Sequence, residues 1–194
     1  MDEKQASQVV ATPLAEVARS GSGAERAVHK GGPRYVEANL ASVAYVAEEA
    51  RQEMLDTLGE AIDEIASALA ALGGAYEQLG TLPADRLEEQ LFRPVQAAYG
   101  RAKRTHVGFA QRQALPGRRF TPTNPGLPST GIRGFVDSAV VSVAEADAVL
   151  AELQDSMMPV EVGDAELRAG LADVRDLLGD VRARAREFVR TLGR

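Results

Sequence analysis

The chain reads as an all-α protein: an antiparallel helical bundle of about four main helices, one overlong, with a short N-terminal helix and a long Pro/Gly-rich loop. Three observations lead there. Apolar residues recur at helical spacing from residue 34 onward. No stretch of more than about four residues reads as a strand, and no repeat recurs at a period of about 20 to 50 residues. Each helical stretch carries one apolar stripe, which only a shared core can hide. With 194 residues, 45% hydrophobic and 26% charged, the chain is long enough for one core-bearing domain and too apolar for a disordered one.

Thr12 and Pro13 open the short N-terminal helix, and residues 21–34 (GSGAERAVHKGGPR) read as a flexible joint. This divides the chain into residues 1–33 and a bundle domain over 34–194. The overlong helix is marked by Val36, Leu40, Val43, Ala47, Ala50, Met54, Leu58, Ala61, Ile65, Ala68, Leu72, Tyr76 and Leu79. That series advances by about 3.6 residues per step, the period of a straight helix. Gly59, Gly73 and Gly74 are its weak points, and Gly80 its expected stop. A second helix follows over about 84–114, with Thr81 as candidate N-cap and a kink near Arg93 imposed by Pro94.

The third helix carries Val136, Ala139, Val143, Ala146, Leu150, Leu153 and Met157, and the fourth Leu167, Leu171, Val174, Leu178, Val181, Ala185, Phe188 and Leu192. Both follow heptad seams. Pro159, Gly163 and the N-cap candidate Asp164 separate them, so they are expected to form an antiparallel hairpin. Between the second and third helices, residues 115–134 hold four Pro and four Gly, a loop of a length that is usually functional or a linker. The first helix outruns its partners and is rich in alanine. Its overhang is therefore expected to be covered by the N-terminal helix or by the kinked second helix and the loop, left exposed, or buried against another subunit.

The net charge of −6 averages two unlike regions. Gln90 to Val136 contains no Asp or Glu and carries +8, leaving −14 for the rest. Five aromatics lie in the same window, Phe92, Tyr99, Phe109, Phe120 and Phe135. Basic residues among aromatics are what phosphate neutralisation and base stacking need. At about 100° per residue, Arg93, Arg101, Arg104 and Arg112 share one helical face, while most of these aromatics fall on the opposite, core face. Arg101, Lys103, Arg104, Arg112, Arg118, Arg119 and Arg133 are accordingly the candidate nucleic-acid-binding residues, suited to backbone contact more than base readout. The competing candidates are Glu49, Glu53, Asp56, Glu60 and Asp63, an acidic stripe on the first helix. It can pair with the arginines within the chain or between copies, or bind a protein partner. Arg182, Arg184, Arg186, Arg190 and Arg194 gather at the C-terminus, where positive charge complements the helix dipole.

Little else carries chemistry. With no Cys, disulfides, thiolate sites and Cys nucleophiles are excluded. Neither of the two His has a Glu three residues before it, so no metal site or other cofactor is expected, and Gly21-Ser22-Gly23 lacks the remainder of a phosphate loop. No small-molecule substrate is evident. Tyr45 and Glu49 share a Tyr-x3-Glu spacing seen in some secretion signals, but it sits mid-helix. Arg101 and His106 form an Arg-x4-His spacing that resembles the signature of HEPN-type ribonucleases, which are also helical bundles. That resemblance spans six residues, departs from the family pattern at Ala102, and implies an RNase acting through Arg101 and His106. His106 falls on the apolar face, where a packing role is the simpler expectation.

No apolar run approaches the roughly 20 residues of a membrane span, and Met1-Asp2-Glu3-Lys4 lacks the basic start of a signal peptide. The expectation is a cytoplasmic protein of bacterial type: a non-catalytic binding or assembly subunit contacting nucleic-acid backbone through the arginine stripe and loop. The alternatives are a protein-binding or self-assembling scaffold using the acidic helix, and, more weakly, the ribonuclease.

Overall fold

The computed structural model describes residues 33–192 apart from 122 and 125, with side chains from residue 45 onward except that of residue 128. The short N-terminal helix expected within residues 1–33 lies outside the described residues. Helix α1 (Pro33–Tyr76) runs unbroken for 44 residues, about 66 Å at about 1.5 Å per residue. Neither Gly59 nor the Gly73–Gly74 pair interrupts it. After a turn, α2 (Thr81–Leu87) starts with Gly80 rather than Thr81 in the N-cap position. It passes through a π turn (Glu88–Phe92) into α3 (Arg93–Arg112). The wide turn stands where a kink is expected. Pro94 offers no N–H and crowds the preceding turn, and a local shift of hydrogen-bond register absorbs this without ending the helix.

Helix α4 (Gly131–Asp155) follows a 3-10 turn at Pro128–Thr130. The one-turn α5 (Met158–Glu161) begins after Met157, which sits at φ 64°. The expected fourth helix is two: α6 (Ala165–Gly179) and α7 (Val181–Leu192). The break at Asp180 is invisible to the heptad pattern because Leu178 and Val181, on either side of it, both stay buried in one core. Asp164 caps α6 as expected, accepting the Leu167 backbone N–H at 2.8 Å. All described elements are helical, and the all-α bundle stands.

Helix directions follow from which residues meet. A side chain at Gly74 would strike Phe135 at the start of α4, and Glu64 interacts with Ser142 and Glu145, so α1 and α4 are antiparallel. Arg101 meets Asp173 and Arg112 meets Asp164, so α3 and α6 are antiparallel as well. The principal neighbours are α1 with α4, α3 with α6, and α1 with α3. The hairpin partner expected for α6, α4, is thus the lesser of its two neighbours. Helices α3 and α4 run the same way on opposite corners of the bundle.

That arrangement explains the Pro/Gly-rich loop. Residues 113–130 must carry the chain from the end of α3 back to the level of α1's C-terminus, a climb of about 30 Å that proline- and glycine-rich extended chain makes easily. They climb beside α1. Ala114, Leu115 and Pro116 lie across from Gln52, Arg118 reaches Gly59 and Asp63, and Gly126 reaches Phe135. One long crossover of this kind is an established way to connect a four-helix bundle.

The core is a single cluster from Met54 on α1 to Phe188 on α7. Helices α3 and α6 approach so closely that a Cβ at Gly170 would collide with the Thr105 side chain. No described helix is long and apolar enough to cross a membrane.

Candidate functional site

The seven basic candidates divide into paired and unpaired groups. Arg101, half-buried on α3, donates to Asp173 of α6 from Nε at 2.9 Å and lies 2.7 Å from it through Nη2. Arg112 straddles the start of α6. Its Nε and Nη2 each donate to Asp164 at 2.9 Å, and its Nη1 donates to Glu166 at 2.6 Å. This fork matches the planar geometry of a carboxylate, and the bonds to Asp164 hold the Arg112 pKa above its ordinary value. Burial pushes the Asp164 carboxyl up. The bonds from Arg112 and the Leu167 N–H outweigh it, and the net pKa lies below the usual carboxylate value.

Arg118, on the crossover, donates to the Gly59 carbonyl at 3.2 Å, pairs with Asp63, and lies 4.8 Å from the Phe120 ring centre. Arg133 stands 3.8 Å from Asp137, one turn away on α4 and largely exposed. The Lys103 ammonium lies 4.9 Å from the centre of the Tyr99 ring. Arg104 and Arg119 are exposed and form no ion pair with another described residue.

Arg93 pairs with Glu88 and Arg133 with Asp137 close by in sequence, and three further arginines of the acid-free window, Arg101, Arg112 and Arg118, are tied to carboxylates on other elements. Of the α1 stripe, Asp63 alone meets one of them. The other partners, Asp164, Glu166 and Asp173, belong to α6, where the sequence offers a faint signal: acids spaced along one helix to match arginines along an antiparallel one. Glu49, Glu53 and Glu60 are exposed without an ion pair among the described residues, and Asp56 accepts a hydrogen bond from Gln52 at 2.9 Å. Glu49 also raises the Tyr45 phenol pKa, first through a side-chain hydrogen bond and then through its charge.

Among the described residues, α1 is only partly covered near Tyr45 and Val46. The antiparallel register carries Asp155, the last residue of α4, to about the level of Met54, where burial begins among the described residues of α1. Some 20 residues of α1 continue beyond. There Tyr45 is 63% exposed and Val46 60%. A cavity of about 360 Å³ opens between this segment and the foot of the crossover, lined by Tyr45, Glu48, Glu49, Gln52, Ala114, Leu115 and Pro116.

The structure does not bring Arg101 and His106 together. Arg101 faces α6. His106 is 1% exposed, its ring edge-on to Phe120 at 5.0 Å, and its Nδ1 has no partner among the described residues. Burial lowers its pKa, the Arg118 charge lowers it further, and Asp56 acts in the opposite sense. At the far end, Arg182 and Arg186 line a shallow cavity with Arg133 and Asp137, while Arg184 pairs with Asp180 and Arg190 with Glu187. No group of three or more His, Asp or Glu that could hold a metal occurs among the described residues. Comparison with protein-family models, curated proteins and solved structures finds no match.

Proposed function

We propose that the chain is a non-catalytic helical binding module, acting in the cytoplasm, that docks a protein partner bearing basic and apolar groups on the stretch of α1 from Tyr45 to Glu53. The observation that carries this reading is a stretch of α1 that the other described residues leave open, where Tyr45 and Val46 stand exposed on the same segment as Glu48, Glu49 and Glu53, which have no ion pair among the described residues. Apolar groups ringed by unneutralised carboxylates fit a partner of opposite charge, whose approach they steer and whose apolar side chains they cover.

The test is site-specific photo-crosslinking, with a benzophenone side chain at position 46 and, as control, at the equally exposed position 141 of α4. A discrete adduct from 46, absent from 141 and lost with Glu49→Lys and Glu53→Lys, is the expected result. No adduct, or equal adducts from both positions, overturns the reading. The adduct's mass separates a heterologous partner from a second copy.

A second reading keeps nucleic acid in view, supported by Lys103, Arg104 and Arg119, which pair with no described carboxylate. It predicts binding to DNA or RNA that falls steeply with salt and is weakened by Arg104→Glu and Arg119→Glu. The paired residues Arg101, Arg112 and Arg118 would have to leave carboxylates to contribute, which favours the first reading.

A further inference from the structure

Where α1 ends and the π turn begins, a second cavity of about 290 Å³ is lined by Gly73, Tyr76, Glu77, Glu88, Phe92 and Gln96. Its wall combines two aromatic rings with two carboxylates and contains no cationic side chain. Rings present negative π faces, so a cation held between them and a carboxylate gains both cation–π and ionic attraction. The π turn spans Glu88 to Phe92, and so supplies one acid and one ring of that set.

Gly73 supplies an independent indication. Glycine within a helix is unfavourable relative to alanine, and its usual justification is close packing. The next residue has that justification, since a Cβ at Gly74 would lie 2.9 Å from the Phe135 ring. Gly73 has none: a Cβ there would meet nothing within 4 Å. It lines this cavity, and a larger side chain there would have open space to enter. Arg93 reports on the local field from outside, donating to Glu88 Oε1 from Nε at 3.3 Å and Nη2 at 3.1 Å. A guanidinium already finds this rim favourable.

We infer that this cavity binds an organic ammonium ion, its charge against Glu88 and Glu77 and its alkyl groups against Tyr76 and Phe92. The ammonium can come from a free amine or from a lysine side chain, and its chemistry is the same in either case.

The experiment is an NMR titration of the full chain with tetramethylammonium and n-butylammonium, and with tert-butanol as an uncharged counterpart. Saturable shifts of the Tyr76 and Phe92 ring signals with either ammonium are expected, with affinity about tenfold above that for tert-butanol. Glu88→Gln should weaken ammonium binding severalfold. Arg93→Ala, which removes the competing guanidinium, should strengthen it. Gly73→Leu should abolish binding by filling the cavity while the protein melts at no lower temperature, so loss of the site is distinguishable from loss of the fold. Nα-acetyl-lysine methylamide separates the sources, binding like n-butylammonium if a protein lysine is admitted and failing to bind if the site takes free amines. Equal affinity for tert-butanol, undiminished binding by Gly73→Leu, or no saturation by either ammonium at millimolar concentration overturns the inference.

Discussion

The two parts of α1 have one periodicity and opposite circumstances. From Met54 to Ala75 the stripe is sealed, with Met54, Leu58, Ile62, Ile65, Ala68 and Leu72 at or near zero exposure. Toward the N-terminus, Ala47 and Ala50 continue it but are only half-buried, and Tyr45 and Val46 are open to solvent. The difference lies in what stands opposite. Helix α4 has 25 residues against 44 and reaches only to about Met54. An apolar stripe at helical spacing therefore shows that a helix will pack, and its length against its described neighbours shows how far they cover it.

The sharpest test of this contrast is truncation on each side. Ile62→Ala should cost roughly 2–5 kcal/mol, since it opens a cavity in a closed core, whereas Val46→Ala should stay within about 0.5 kcal/mol. Denaturant unfolding of both variants measures this. A large effect of Val46→Ala on the isolated chain would mean that the overhang is already covered. Adding the crosslinked partner should raise the cost at Val46 and leave Ile62 unchanged.

The paired glycines sharpen the contrast within the covered part. Gly74→Ala forces a methyl group into the buried Phe135 ring and should destabilise by about 1–3 kcal/mol. Gly73→Ala meets open space and should stabilise by roughly 0.5–1 kcal/mol. Thermal melts of the two single variants give the signs directly. Stabilisation by both would place Phe135 elsewhere.

Local features of the fold were legible in the sequence because their causes are local. The Asp164 cap and the core positions of the long helix follow from propensity and period, whereas α1 begins at Pro33, inside the stretch expected to be a flexible joint. The crossover was not legible. A Pro/Gly-rich stretch announces that a helix has ended, but whether the next one returns or runs parallel depends on which faces meet across the bundle. The break at Asp180 escaped for a related reason, since a heptad seam stays in register across a break when both segments bury the same side. The arginine window was visible as composition, yet its meaning turned on α6 acids at sequence distances of 52 to 72 residues. Helical geometry placed Arg101 and Arg112 away from the apolar face, and that face of α3 looks partly at α6.

Asp164 joins the two ends of this contrast, because it caps α6 and receives Arg112 from the neighbouring helix. Its pKa is depressed in the folded chain, so the unfolded chain binds the proton more readily. Its stabilising contribution is complete above the unfolded carboxylate value near about pH 4 and is lost as pH falls through the folded value. Asp164→Asn retains much of the cap and removes the charge. It should cost about 1 kcal/mol at neutral pH and flatten the acid limb of a stability-versus-pH curve. An unchanged acid limb would show that the Arg112 fork adds nothing.

His106 predicts the smallest effect, in a different window. Its neutral form is favoured by burial, with Arg118 of the crossover adding to the shift and Asp56 of α1 opposing it. The unfolded chain therefore takes up a proton first as pH drops below about 6.5, and stability declines from there until the folded value is passed. His106→Phe can pack against Phe120 without titrating, and should remove that slope while leaving the Asp164 limb intact. Because Phe120 and Arg118 both belong to the crossover, the protection of the Arg118–Phe120 amides from exchange, corrected for the pH dependence of the intrinsic rate, should fall between pH 7 and 5 in the native chain and not in His106→Phe. Equal exchange in the two chains would mean that the crossover is held by Arg118 and Asp63 and that His106 merely fills space beneath it.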